Sequence, residues 1–416
     1  MKIFRELLAF LMLFGITSNA QTPSSQADYI KSFVIENKGS VGVQNIFELG
    51  KPFAISFDDL NADERNYYYK FTHCDWDWSS SNLLEAEFVK GYAQNLILDF
   101  TNSFNTLVGY THYFARFPNE DTRLKISGNY LLSILNEDEE VVATKKIVLY
   151  EPKVLVNAVV SRSNEATHFQ RKQAVKFTLN LQKTVIRNPA IEIIPMVIQN
   201  NRLEQAKRQS KPQYMLNNSW VYQNNKELEF WANNEFLHFD TKSTISSNVN
   251  IKKIESLDHC HVYLYIDEER SKRTYKQAED INGGFVIRNT DFTNALPATE
   301  ADYLKVHFSL DSKLDKNEYN IYVIGGFNDW KLNQQNAMFY NPSSKKYEVD
   351  IMLKQGFYNY DYLAIAKNGQ FNSTAISGSF FETENDYQVV VYYKEIGARF
   401  TRVIGLGLAN SLQSTL

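Results

Sequence analysis

Val154-Leu155-Val156-Asn157-Ala158-Val159-Val160 is the stretch from which the fold is read. Val154, Val156, Ala158 and Val160 share one parity. Successive side chains of an extended chain point to opposite faces, so a period-two run has one face to bury. The pattern returns at Val175, Phe177, Leu179 and Leu181, at Val306, Phe308 and Leu310, and at Tyr347, Val349, Ile351 and Leu353. Asn, Asp, Gly or Ser interrupt the runs. Such segments predict half-buried antiparallel strands. Helical signals are few. Ser80-Ser81-Asn82 before Leu83 to Lys90 and Gly91 predicts one short capped helix. Arg202 to Arg208 is polar and short, a loop or a turn of helix. The expected fold is all-β, with tandem immunoglobulin-like, early-set β-sandwich modules.

The chain has 416 residues, room for two or three domains. With 28 Phe and 25 Tyr it can bury large cores, which excludes a mostly disordered chain. A net charge of -4 gives no global field for nucleic acid or anionic membrane. Glu151-Pro152 marks a break between two strands, and the polar stretch Asn289 to Ala301 a second. The predicted modules are 28–150, 151–295 and 296–416, the last closing with a hairpin over Gln388 to Tyr393 and Phe400 to Leu408.

The first residues, Met1-Lys2-Ile3-Phe4-Arg5, then an apolar Leu7 to Ile16, then Ser18-Asn19-Ala20, have the three parts of a secretory signal. The apolar core is too short to span a bilayer. Cleavage after Ala20 leaves Gln21 and not Cys, so no lipid anchor is expected.

The densest cluster is Tyr67-Tyr68-Tyr69-Lys70-Phe71-Thr72-His73-Cys74-Asp75-Trp76-Asp77-Trp78. A continuous strand places Tyr69, Phe71, His73, Asp75 and Asp77 on one face, and Cys74, Trp76 and Trp78 on the other. His73, Asp75 and Asp77 are ligand types for a metal, but alternate strand residues stand about 7 Å apart at a rise of ~3.3 Å. The expectation is a strand whose Trp76 and Trp78 anchor a core, with no metal and no cofactor. Asp258-His259-Cys260-His261 is a second cluster, and a Cys74–Cys260 disulfide stays open in an oxidising compartment, alongside two buried thiols. There is no Gly-x-Ser-x-Gly, no His-Glu-x-x-His and no phosphate loop. No catalytic residue is assigned, and a non-enzyme is expected.

Ile321 to Ile324 runs into Gly325-Gly326-Phe327-Asn328-Asp329-Trp330, and Gly356-Phe357-Tyr358-Asn359-Tyr360-Asp361-Tyr362 follows. This resembles the early-set immunoglobulin-like modules that include glycogen-binding domains. Glycan binding by an exported protein is therefore the second functional expectation. It requires Trp330, Tyr358, Tyr360 and Tyr362 to form an exposed aromatic platform.

Eight ordered segments extend a resemblance over nearly the whole chain. They are Phe71-Thr72-His73-Cys74-Asp75-Trp76-Asp77-Trp78-Ser79, Ser103-Phe104-Asn105-Thr106, Tyr110-Thr111-His112-Tyr113, Ser127-Gly128-Asn129-Tyr130, Asn234 to Asp240, Asp280-Ile281-Asn282-Gly283-Gly284-Phe285, Phe381 to Tyr387, and Arg402-Val403-Ile404-Gly405. Together they resemble the plug protein family of the type IX secretion system. Two positions depart from that pattern: Thr401 replaces an acidic residue and Leu237 a basic one. The resemblance implies a periplasmic protein that seals the periplasmic mouth of the outer-membrane type IX translocon barrel when no cargo is engaged. It implies that barrel as partner, with no nucleic acid and no direct membrane insertion. Its structural motif residues are His73, Cys74, Asp75, Trp76, Asp77 and Trp78, with Gly325, Gly326, Phe327 and Trp330. The docking surface is not implied by it.

Overall fold

The alternating runs form strands, and their buried parity is the one that the sequence marks. In the computed structural model, which describes residues 26–37, 44–181, 186–209, 211–216, 218–223, 226–246 and 248–413, nearly every element is β. The expected leader, residues 1–20, lies outside the described residues.

The first module packs two sheets. Ile30–Glu36, Phe53–Asp59, Thr111–Phe117 and Asp99–Asn102 form one, in that order. Ile46–Glu48, Val141–Tyr150, Gly128–Leu135, Tyr68–Cys74 and Gln94–Leu96 form the other. Their facing side chains are large and aromatic. The Phe57 and Tyr113 rings stack at 5.1 Å, and Phe53, Phe71, Phe117 and Tyr130 fill the space beside them. Only Glu85–Phe88 of the predicted helix is helical; Val89–Gly91 pairs as a strand with Thr122–Leu124. Gly91, with φ +95°, sits where an added Cβ would meet the Asp121 carbonyl at 1.9 Å.

The middle module is also a two-sheet sandwich. Leu155–Arg162, Lys172–Asn180, Ser219–Tyr222 and Tyr214–Leu216 make one sheet, with Glu229–Trp231 beside Lys172–Asn180. The other runs Lys207–Arg208, Ile193–Gln199, Asp386–Tyr393, Arg402–Asn410. This corrects the predicted boundary. The closing hairpin exists, with Tyr387 opposite Ala409, but it pairs with Ile193–Gln199 and completes the middle sandwich, not the 296–416 module. The predicted module 151–295 also loses its last part. Leu237–Asp240 and Phe285–Ile287 both pair with Gly356–Ala366, and Cys260–Leu264 lies parallel to Tyr303–Asp311, all within the third module. The third module is thus inserted between Trp231 and Asp386 of the middle one. Its core is built on Phe239, Phe308, Tyr358 and Tyr360, with Phe239 stacked on Tyr358 at 5.2 Å. A further shared core, containing Val148, Ile194, Ile198, Val390, Tyr392 and Val403, joins the first module to the middle one.

Candidate functional site: the joints between the three modules

The strand carrying the family motif ends at Cys74. Asp75 to Ser79 is a turn, closed by the Asp75 N–H on the Ser79 carbonyl at 2.8 Å, with Trp78 at φ 67°. The expected single face therefore does not extend past His73, and the three ligand types diverge. His73 is buried, its Nδ1 2.8 Å from Ser81 Oγ and its Nε2 without a hydrogen-bond partner. Gly128 makes room for that ring: a Cβ there would lie 2.3 Å from Nε2. Burial pulls the His73 imidazole down to about 4, outweighing the Ser127 backbone and the nearby Asp75, which both favour its charged form. Asp75 instead reaches the C-terminal hairpin. It accepts the Thr401 N–H at 2.8 Å, the Thr401 hydroxyl at 3.0 Å and the Lys394 ammonium at 2.9 Å. The departure at Thr401 thus has a local reason: an acidic side chain would face the Asp75 carboxylate. Leu237, the other departure, packs against the third module's core. Asp77 accepts from the N–H and hydroxyl of Ser79. Trp76 and Trp78 are half-buried at the shared core, not strand anchors within it. A cation covers each: Arg208 lies 4.4 Å from the Trp76 ring and Lys146 4.7 Å from the Trp78 ring. Cys74 and Cys260 are separate buried free thiols, both pushed up to about 11 by burial.

The second motif also folds differently from a binding platform. Tyr358, Tyr360 and Tyr362 are each 1% exposed, and the hydroxyls of Tyr360 and Tyr362 both donate to Asp267 at 2.7 Å. They are core residues. Phe327 packs edge-on against Tyr358. Trp330 leaves that core on two consecutive left-handed residues, Asp329 at φ 54° and Trp330 at φ 59°. Its ring lies over Gly283, where a Cβ would come within 2.2 Å of it, and Gly326 N–H donates to the Gly283 carbonyl at 2.7 Å. So Asp280 to Phe285 and Gly325 to Trp330, far apart in the sequence, form one structural unit.

Trp330 faces a cleft of about 380 Å³ to which all three modules contribute, including Leu131, Lys145, Arg202, Gly283 and Trp330. Lys145 is buried and paired with Asp329; Lys331 lies 3.5 Å from the same carboxylate. Lys146 is paired with Glu204 at 2.7 Å. Arg202 is only 6% exposed, with its guanidinium stacked 3.9 Å above the Trp330 ring. Its Nε is buried and has no acceptor, and among the described residues no carboxylate forms an ion pair with it. Burial draws its guanidinium down to about 10 despite the more distant Asp361, which is engaged by Ser377 and Arg270. Sequence reasoning missed Arg202 in a polar stretch. The only local signal is Asn200-Asn201, both left-handed, which turns the chain sharply before it.

The joint between the first and third modules has the opposite character. Asp58 is 1% exposed and Lys354 2%, and their charges meet at 2.6 Å. The Tyr303 hydroxyl and His112 Nδ1 are each 2.6 Å from the same carboxylate. Burial alone would raise the Asp58 carboxyl; Lys354 and His112 outweigh it and hold the group below the ordinary carboxylate range. Nearby, Asp302 accepts the N–H groups of Leu107 and Val108 at 2.9 and 3.0 Å.

Residues 30–151 match the family described as type 9 secretion system plug protein 1st domain. Among solved structures, a hypothetical protein from Parabacteroides merdae superposes with a TM-score of 0.88 at 32% identity, over 93% of this chain and 98% of that one. A native-conformation E. coli alpha-2-macroglobulin, at 8% identity over 93% of this chain and 23% of that one, has a TM-score of 0.18 and shares no demonstrated fold. No curated protein matches the chain. The chain therefore belongs to the family whose members carry the type 9 secretion system plug protein 1st domain.

Proposed function

We propose that this protein is a non-catalytic periplasmic plug, which seals the periplasmic opening of the outer-membrane type IX translocon barrel when no cargo is engaged. The observation that carries the proposal is the plug-domain match over residues 30–151, which ties the chain to type 9 secretion. The geometry supports it through stiffness. A barrel wide enough for folded cargo has many strands and a large lumen. A stopper for such a lumen must be bulky and must not hinge. Separate domains in one chain move relative to one another by default unless their interface is extensive. Here Asp58 with Lys354, Asp75 with Thr401 and Lys394, and the shared core around Val148 and Tyr392 tie the modules together. Among the described residues no helix is long and apolar enough to cross a membrane. Docking on the barrel protein is reversible in this proposal, so its interface is of modest area with a polar rim. The glycan-binding alternative loses its basis, because the three tyrosines it needs are in the core.

The test is entry of a large antibiotic that an intact outer membrane excludes, measured in deletion and parent strains. Increased sensitivity with secretion retained is expected. Unchanged sensitivity, with the translocon present and carrying cargo, overturns the plug proposal.

A further inference from the structure

We infer that the three-module cleft is a carboxylate-binding site, with the Arg202 guanidinium as its buried counter-ion, and that its ligand is a carboxylate on a short aliphatic stem. Three features carry this. First, Arg202 is a buried cation that lines the cavity, stacked on Trp330, with no ion-pairing carboxylate among the described residues. A buried charge without a partner is costly, and the guanidinium fork suits a carboxylate in two-point contact. Second, the lining carries four cations, Lys145, Lys146, Arg202 and Lys331, against three carboxylates, Glu204, Asp329 and Asp386, and the lysines are the ones held by Asp329 and Glu204. One positive charge is left over, which fits a monoanionic group. Asp386, at the rim, accepts the side-chain amides of Asn282 and Asn410 and disfavours a group that concentrates more than one negative charge, such as phosphate. Third, Trp330, Leu131, Leu203 and Ile281 line the same space, giving an aliphatic stem an apolar wall. The volume of about 380 Å³ lies in the range of small-molecule sites. The shape is also held in place: Gly283 admits the Trp330 ring, and the ring orients the guanidinium.

The carboxylate can come from a free dicarboxylic acid or from an acidic side chain of a polypeptide, and the experiment separates these. The purified full chain is titrated with glutarate, with N-acetyl-Ala-Glu-Ala-amide, with inorganic phosphate, and with sodium chloride at matched ionic strength. Calorimetry, thermal melting and tryptophan fluorescence are the readouts. Saturable binding of glutarate, with a melting temperature raised above the chloride control, is expected. Binding of the capped peptide as well assigns the site to an acidic side chain; binding of glutarate alone assigns it to a free dicarboxylate. Trp330→Phe should lose the fluorescence change while calorimetry still detects binding. Arg202→Met should weaken binding by about tenfold or more, the scale of a hydrogen bond to a charged group. If Arg202→Met does not fold, Arg202→Lys, which keeps charge and loses the fork, serves in its place with the same direction of effect. No response of the wild-type protein beyond chloride, tighter binding of phosphate than of glutarate, or an undiminished affinity in the folded Arg202 variant overturns the assignment. None of these outcomes depends on the translocon, so failure here leaves the plug proposal standing.

Discussion

Lys354 and Arg202 are both cations withdrawn from water at module boundaries, and they differ in one respect. Lys354 meets Asp58 at 2.6 Å and places another contact on the Ala298 carbonyl at 2.7 Å. Arg202 meets the rings of Trp330 and Phe236 and lines the three-module cleft. The first arrangement closes a boundary. The second leaves a buried charge that no carboxylate among the described residues pairs with. The contrast teaches that burial of charge at a joint is not by itself a stabilising device; what matters is whether the opposite charge comes from the same chain.

The comparison can be broken most easily at Lys354. Lys354→Met takes the ammonium from the buried Asp58 carboxylate and leaves it only His112 and the Tyr303 hydroxyl, so unfolding in urea should show a loss of about 3–5 kcal/mol. The double variant Asp58→Asn with Lys354→Met should recover part of that loss. If Lys354→Met is as stable as wild type, the first–third joint is not the weld described. A smaller effect concerns His73. Its folded pKa is about 4, below the unfolded value near 6.5, so the unfolded chain takes up the proton first. Its contribution is complete above about pH 6.5 and is lost as pH falls toward 4, by roughly 3 kcal/mol. His73→Gln should therefore flatten the acid limb of a stability-versus-pH curve; an unaltered limb would show that other groups set it. The smallest effect is expected at Arg202. Arg202→Met gives up a stacking contact and also removes an uncompensated buried charge, so stability should stay within about 1 kcal/mol of wild type. A loss as large as that of Lys354→Met would erase the distinction between the two cations.

Much of the fold was legible because alternation reports burial. Val156, Val160, Phe177, Leu179, Val306 and Phe308 are buried on the parity their spacing marks. Alternation does not report which strand lies alongside. Ile193–Gln199 and Asp386–Tyr393 are adjacent strands separated by most of the third module, and nothing local distinguishes that partner from a nearer one. The motif from His73 to Trp78 was visible as a cluster, yet its geometry was not. A bulky residue in the left-handed region is uncommon, so the turn at Trp78 is not legible and the residue is expected on the strand. Arg202 was illegible for another reason. Its burial comes from Trp330 and Phe236, which approach it only after the modules have assembled.

The insertion of the third module within the second also sets a timetable. A chain made or exported from its N-terminus has every strand of the first module available once Tyr150 has emerged. The middle sandwich has to wait, because Asp386–Tyr393 and Arg402–Asn410 are among the last segments to appear. Until then the apolar strand Ile193–Gln199 has lost neither its exposed edge nor its aggregation hazard. Removal of residues 386–413 should accordingly melt the segment around Leu155 to Trp231 while sparing the inserted module, the reverse of what position along the chain suggests.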